Sequence, residues 1–105
     1  MSILSITFHC PEFLLKEWET YVDETLMLMA DNLMEVDHYI LSEVYTEMLT
    51  EGKNYNLLLI FAENDLRSQF LENEFLNIEE RIQAKFGDQM MIFITHLNPK
   101  KSRLS

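Results

Sequence analysis

The sequence predicts a single α+β domain made of two β-α-β units, with one antiparallel four-stranded sheet and two helices packed on the same sheet face. Two observations support this fold class. A short alternating segment, a long amphipathic segment and an extended segment follow one another twice along the chain. Two of the extended segments are apolar on both sides, which is typical of strands covered on both faces. The sheet face without helices is therefore expected to be covered by something else.

The first unit runs from residue 3 to residue 49. Strand 1 (3–10) alternates with a period of two, and the face that belongs under the helices consists of Leu4, Ile6, Phe8 and Cys10. Pro11 suits the first turn of a helix that continues to about residue 32. The predicted apolar stripe of this helix contains Leu14, Trp18, Tyr21, Val22, Thr25, Leu28 and Met29. Strand 2 is expected over residues 38–49.

The later part of the first helix is apolar nearly all round, in residues 26–29. Two interpretations remain open for this segment. It is either the end of the core, filled by adaptable methionine side chains, or a partner surface or pocket wall.

The second unit begins after a loop at residues 50–54, which predicts a hairpin between strand 2 and strand 3 (55–62). A helix is expected over residues 65–86, with Asn64 or Asp65 as its cap and Gly87 just past its end. Its apolar residues form two stripes, which fit either a break near residues 72–74 or one long bent helix. Strand 4 (90–97) ends at Asn98-Pro99.

This order of elements is the ferredoxin-like arrangement, and right-handed crossovers predict the strand order 4-1-3-2. With 105 residues, of which 48% are hydrophobic, the chain forms one domain over residues 1–99, followed by a basic tail at 100–105. One cysteine fits a reducing compartment, and no segment resembles a leader or a membrane span. We therefore expect a soluble cytoplasmic protein without a membrane partner.

The charge is strongly acidic, with 18 Asp and Glu against eight Lys and Arg. Three of the eight basic residues are Lys100, Lys101 and Arg103, so the rest of the chain is more acidic still. Such a surface repels phosphate backbones, which argues against a nucleic-acid partner. The basic tail is either a solvated terminus or a small contact for an anion or a lipid.

No catalytic, metal or phosphate-binding motif is present in the sequence. His9, His38 and His96 lie at the ends of different strands and lack the close spacing of metal ligands, so no metal is expected. Cys10 points to the opposite face from His9 and resembles a small core residue. We expect no cofactor and no catalytic residue.

Five residues are the candidates for a ligand pocket. Thr7 and His9 share a polar face of strand 1, although polar residues on a half-open face can simply bond to water or a partner. Glu43 lies on one face of strand 2 with Glu47 and beside Tyr45; such acids can do acid–base work or discourage edge pairing. Tyr45 is the fourth candidate, and Trp18 of the first helix is the fifth.

Short segments along almost the whole chain are similar to one known family. They are Glu17-Trp18 with Tyr21, Phe61-Ala62-Glu63, Lys85-Phe86-Gly87, and Phe93-Ile94-Thr95 followed by Leu97. The chain resembles a small bacterial family of unknown function, about 100 residues long, with a ferredoxin-like fold of the dimeric α/β-barrel type. The resemblance implies this fold and no particular activity.

The apolar open sheet face predicts a homodimer joined through that face, and an additional contribution of strand edges or of a crossing C-terminal segment stays open. Two functions compete. The favoured one is a non-enzymatic interaction or small apolar ligand-binding module. The alternative is a small monooxygenase or isomerase-like enzyme, cofactor-independent or haem-linked, that uses the barrel cavity with His9, Glu43 and Tyr45.

Overall fold

Over residues 1–46 and 51–104, which the computed structural model describes, four strands form one antiparallel sheet in the order β2-β3-β1-β4. The strands are β1 (Ser2–Cys10), β2 (His38–Glu43), β3 (Lys53–Phe61) and β4 (Met91–Leu97). This order confirms the predicted topology. The chain has the predicted α+β ferredoxin-like fold.

The helical layer consists of two bent segments. The first contains a 3₁₀ turn (Glu12–Leu14), α1 (Leu15–Tyr21), a π turn (Val22–Leu26) and α2 (Met27–Asp31). The second contains α3 (Asn64–Glu72), α4 (Glu74–Phe86) and a 3₁₀ turn (Gly87–Gln89). None of the helices in the described part of the chain is long and apolar enough to cross a membrane.

The core lies between the helices and one sheet face. Along β1 the residues alternate between buried and half-buried, because every second side chain points toward the helices. The predicted inward set of β1 is completely buried, and it packs with Trp18, Leu26, Phe75 and Ile82 from the helices. The other sheet face is open, as predicted.

The first helix buries a different stripe from the predicted one. Trp18, Tyr21 and Val22 are buried as expected, but after Val22 the buried residues are Leu26 and Ala30, while Leu28 is exposed. The reason is the π turn, which inserts one extra residue and rotates the rest of the helix by about 100°. A regular α-helix, on which the prediction was based, has no such shift.

The break in the second helix is confirmed at Asn73, whose backbone (φ −125°, ψ −81°) leaves the helical region. Phe70 and Phe75, on either side of it, are both buried, which an unbroken helix would prevent. The predicted cap is wrong. Glu63 holds the cap position, and Asn64 is the first helical residue, whose side-chain oxygen accepts a hydrogen bond from Ser2.

Strand 2 is shorter than predicted in the described residues, because it ends at Glu43 and residues 47–50 lie outside them. Its register pairs Glu43 with Tyr55, and the amide of Val44 still donates to the carbonyl of Asn54 over 2.9 Å. The chain turns at Gly52, where φ is +79°. A Cβ at Gly52 would lie 2.3 Å from the Cys10 carbonyl oxygen, so only glycine fits.

Candidate functional site

A cavity of about 360 Å³ lies between the first helical segment and β2. Its position follows from the π turn, since Val22 and Asp23 of that turn line it together with Met27 at the start of α2. π turns are frequent at functional sites because they place side chains where a regular helix cannot. The remaining lining residues are Glu19, Tyr39, Leu41, Ser42, Glu43 and Tyr55.

Four polar residues, Glu19, Glu43, Lys53 and Tyr55, form a hydrogen-bonded group at this cavity that we call the carboxylate cluster. The Tyr55 hydroxyl lies 2.7 Å from Glu19 Oε2 and 3.1 Å from Glu43 Oε1. The Lys53 ammonium lies 2.7 Å from Glu43 Oε1 and 3.2 Å from Glu19 Oε2. Each carboxylate therefore contacts both donors, and the helix and the two strands are joined at one point.

The sheet register places three members of the cluster together. Tyr55 is directly opposite Glu43, and Lys53 precedes Tyr55 by two residues, so all three point toward the helical layer. Glu19 reaches them from α1.

The interactions in the cluster fix its protonation state. The hydrogen bond from Tyr55 is the largest cause that lowers the pKa of Glu19, and the hydrogen bond from Lys53 lowers it further. For Glu43 the hydrogen bond from Lys53 lowers the pKa most, and the one from Tyr55 adds to it. Hydrogen bonds to Glu43 and Glu19 raise the pKa of Lys53. Burial, reinforced by Glu19, strongly raises the pKa of the Tyr55 hydroxyl. Near neutral pH the carboxylates are therefore ionised, the ammonium is charged and the hydroxyl keeps its proton.

Trp18 lies beneath the cluster, completely buried in the core, and does not line the cavity. Its ring centroid is 6.2 Å from that of Tyr55 in an edge-to-face arrangement, and 5.4 Å from that of Phe8. The Trp18 ring also stacks on the ring of Tyr21, with 5.7 Å between the two centroids. Trp18 therefore fixes the ring of Tyr55 from inside the core.

Thr7 and His9 lie on the open sheet face, away from the cluster. Because His9 pairs with Asn54 and Glu43 pairs with Tyr55, the next residue on β3, the two candidates point to opposite sides of the sheet. His9 Nδ1 is 2.7 Å from Asn54 Oδ1, and its Nε2 is 3.9 Å from Glu51 Oε2. Thr7 Oγ1 accepts a hydrogen bond of 3.3 Å from Asn56.

Tyr45 is 86% exposed and lines a separate hollow of about 270 Å³, with Lys53 and Gly52 among its walls. The structure thus distributes the five candidates over several places. Thr7 and His9 share the open face, Glu43 belongs to the carboxylate cluster, Trp18 lies in the core, and Tyr45 lies at the end of the β2–β3 hairpin.

Sequence reasoning missed Glu19, Lys53 and Tyr55 as site residues. Glu19 is one of several acids on the first helix, and Tyr55 belongs to a segment that is otherwise mostly apolar. The signal was the alternation of Lys53 and Tyr55 on one face of a strand. It could be interpreted only with the register that places Glu43 opposite Tyr55.

A second cleft, of about 410 Å³, separates α2 from α4. Glu74, the first residue of α4, lines it and accepts a hydrogen bond of 3.3 Å from the Met34 amide. Burial and a hydrogen bond with the Glu35 carboxyl raise the pKa of Glu74 to about 7. Oε2 of Glu35 is buried and has no hydrogen-bond partner among residues 1–46 and 51–104. The two carboxyl groups therefore connect the segment after α2 to α4.

Within residues 1–46 and 51–104, no three His, Cys, Asp or Glu side chains are grouped so as to hold a metal ion. Cys10 is a buried free thiol. Burial, with smaller contributions from Glu19, Glu51 and Glu12, raises its pKa to about 11, so the thiol is protonated and unreactive near neutral pH.

Residues 1–100 match a family described as a domain of unknown function, DUF4286. None of the proteins with curated descriptions matches this chain.

Three solved structures share the fold at low sequence identity. A Deinococcus radiodurans protein, provisionally named an antibiotic biosynthesis monooxygenase, has a TM-score of 0.69 and 9% identity, covering 100% of this chain and 98% of its own. HapK from Hahella chejuensis has a TM-score of 0.68 and 7% identity, with coverage of 100% and 98%. A dimeric ferredoxin-like protein from an uncultured marine organism has a TM-score of 0.63 and 11% identity, with coverage of 98% and 100%.

Proposed function

The chain belongs to the DUF4286 family, a domain of unknown function, and from its geometry we propose that it is a homodimeric binding module. Two copies join through their open sheet faces, and each takes a small, largely apolar ligand in the cavity beside the carboxylate cluster. The observation that supports the proposal most directly is this cavity, in which a hydrogen-bonded polar cluster adjoins apolar walls.

The open sheet face supports the dimer. Ile40, Met91, Phe93 and Leu97 are exposed on it, and they extend across both edge strands of the sheet. An apolar surface of this extent favours association, and a two-fold arrangement covers the same surface on both copies. Among the fold neighbours, the protein from the marine organism is described as dimeric.

The dimer can be tested with a pair of equally exposed apolar residues. Phe93 on β4 is 49% exposed on the open face, and Leu76 on α4 is 50% exposed on the helical layer. We expect Phe93→Asp to give a monomer in sedimentation velocity, because it buries a charge in the interface, whereas Leu76→Asp leaves the dimer intact. A monomeric wild-type protein at micromolar concentration contradicts the proposal.

The ligand cavity has the size and composition of a small-molecule site. Binding sites usually measure about 300–1,000 Å³, with mostly apolar walls and a few convergent polar groups. Here the apolar walls come from Val22, Met27 and Leu41, and the cluster supplies polar contacts at one side. Binding is favoured over acid–base chemistry because the pKa shifts keep Glu19, Glu43 and Tyr55 in single protonation states near neutral pH.

Native mass spectrometry of freshly purified protein tests for a ligand. We expect a co-purified small molecule on each copy of the wild-type protein. Met27→Trp fills the cavity and should remove this extra mass. Leu28→Trp changes the neighbouring residue, which lies in the other cleft, and should retain it. A bare dimer in all three proteins favours an interaction module without a ligand.

The enzyme alternative rests on the same cavity. One fold neighbour is provisionally named a monooxygenase, and a small oxygenase or isomerase could use a polar cluster beside apolar walls. The alternative predicts consumption of oxygen or conversion of the co-purified molecule. Glu43→Gln should then reduce the rate while leaving the bound mass in place.

The cellular setting belongs to the same proposal. A reducing compartment such as the cytoplasm suits Cys10, which is a buried free thiol. The acidic charge of the chain, −10 at pH 7, disfavours nucleic acid as a partner.

A further inference from the structure

A small polar group lies in the middle of the open sheet face, and it consists of Asn56 on β3 with Ser5 and Thr7 on β1. We infer that this group, hereafter the Asn56 group, sets the register in which two copies dock. The inference rests on the homodimer proposed above and adds the contact that makes the docking specific.

The geometry of the group is compact. The Asn56 amide nitrogen donates to Ser5 Oγ over 2.7 Å and to Thr7 Oγ1 over 3.3 Å. Asn56 is directly opposite Thr7 in the register of β1 and β3, the two central strands. All three side chains are only partly exposed, so the group is held rigidly by the sheet and by its own hydrogen bonds.

Part of the hydrogen-bonding capacity of the group is unused within the described residues. Both amide hydrogens of Asn56 are engaged, but no donor in the described part of the chain reaches its side-chain oxygen. Ser5 and Thr7 each accept a bond, and within the described residues neither hydroxyl hydrogen has an acceptor. The open face thus offers one acceptor and two donors at its centre.

Apolar side chains surround these groups. Leu58 and Ile60 follow Asn56 on its strand, Ile40 is opposite Leu58, and Phe93 is opposite Thr7. Any partner that covers them also removes water from the Asn56 group, which then needs hydrogen bonds from that partner.

A second copy of this chain supplies what the group lacks. Under a two-fold axis the same patch meets itself, so the Asn56 oxygen of one copy can accept from a hydroxyl of the other, and the reverse. A wholly apolar occupant would leave the acceptor and the donors unpaired. A sliding of the two sheets would leave them unpaired as well, so the group selects one register.

Asn56→Asp tests the inference. Within one copy the new carboxylate can accept from the Ser5 and Thr7 hydroxyls, so the fold of the monomer is expected to persist. In the dimer two carboxylates would lie close together without water. We expect the dissociation constant to rise at least about tenfold at about pH 8, and to recover at about pH 6 because the paired acids share a proton.

Two further variants complete the experiment. Gln83→Glu adds the same charge to the exposed surface of α4 and should leave the dissociation constant unchanged. Asn56→Leu removes the amide that would pair across the interface, so this variant should still associate through the apolar surface, but in several registers that give more than one set of amide NMR peaks instead of one uniform dimer. Circular dichroism of each variant verifies that it is folded.

The outcomes separate the inference from the dimer proposal. If the wild-type chain is dimeric and Phe93→Asp makes it monomeric, but Asn56→Asp binds as tightly as wild type, the Asn56 group does not set the register. A uniform dimer for Asn56→Leu also contradicts the inference. If the wild-type chain is itself monomeric, the dimer proposal fails first.

Discussion

At the scale of single residues, two tyrosines show that the contribution of a buried hydroxyl to stability depends on its hydrogen-bond partners. Tyr55 donates to carboxylates of the cluster, whereas the buried hydroxyl of Tyr21 has no hydrogen-bond partner in the part of the chain that the structure describes. Both rings contact Trp18, so their packing environments are related. The two residues therefore form a matched pair for measuring the hydrogen bond separately from the packing.

Tyr55→Phe is expected to lower the free energy of unfolding by about 1–3 kcal/mol, because it removes a bond to a charged acceptor. Tyr21→Phe is expected to leave that free energy unchanged or slightly higher, because it removes a buried hydroxyl without a partner. Urea unfolding followed by tryptophan fluorescence measures both. Equal losses for the two variants would show that the Tyr55 bond contributes nothing to stability.

Glu74 predicts a pH dependence of stability. Its pKa is raised from 4.5 to about 7 in the folded protein, so the folded state retains a proton that the unfolded state loses. This contribution is complete below about pH 4.5 and is lost as the pH rises through 7. At about pH 8 we expect the free energy of unfolding of Glu74→Gln to exceed that of wild type by about 2 kcal/mol. This difference should shrink toward pH 5.

Unfolding of both proteins in urea at several pH values measures this difference. Glu80→Gln, on the exposed side of the same helix, is the control and should follow the wild-type pH profile. A Glu74→Gln profile parallel to that of wild type would mean that Glu74 titrates in the same way in the folded and unfolded states.

At the scale of secondary structure, the π turn at Val22–Leu26 has two consequences. It rotates the later part of the helical segment so that Leu26, at the end of the turn, and Ala30 of α2 enter the core. It also places Val22 and Asp23 at the wall of the cavity beside the carboxylate cluster. Of the two interpretations of residues 26–29, both hold in part. Leu26 belongs to the core, Met27 lines the cavity, and Leu28 and Met29 line the cleft against α4.

Two leucine truncations test the phase of this helix. Leu26 is 0% exposed and Leu28 is 61% exposed. Leu26→Ala should therefore lower the free energy of unfolding by about 2–5 kcal/mol, and Leu28→Ala by less than about 0.5 kcal/mol. A regular α-helix with the stripe expected from the sequence would give the opposite order. Chemical denaturation of the two variants distinguishes the two geometries.

At the scale of the whole molecule, charge is distributed unevenly. Three of eight basic residues lie in the last six positions, while all 18 acidic residues precede them. Lys100, Lys101 and Arg103 are exposed, and among the described residues Lys53 is the one Lys or Arg side chain that forms ion pairs, with Glu19 and Glu43. In a dimer, such a tail can lie against the acidic surface of the other copy.

Neutralising the tail tests this contact. We expect Lys100→Gln, Lys101→Gln and Arg103→Gln together to raise the dimer dissociation constant about tenfold at low ionic strength, and much less at about 0.5 M salt, because salt screens exposed charges. The triple variant Lys16→Gln, Arg81→Gln and Lys85→Gln changes the net charge equally on the helical layer and should have a smaller effect. Equal effects would indicate general repulsion alone. Sedimentation equilibrium at two salt concentrations measures both.

By itself, the sequence determined the fold class, the strand order and the apolar open face. These depend on local periodicity: alternation defines the strands, and the two apolar stripes of the second helix fit either a break near residues 72–74 or one long bent helix. Only the tertiary structure decided which residues of the first helix are buried after Val22. The reason is that a π turn adds one residue to the helix and cannot be recognised from the residue composition. The carboxylate cluster was likewise decided there, since pairing Glu43 with Tyr55 and bringing Glu19 onto them depends on strand register and helix packing between residues far apart in the chain.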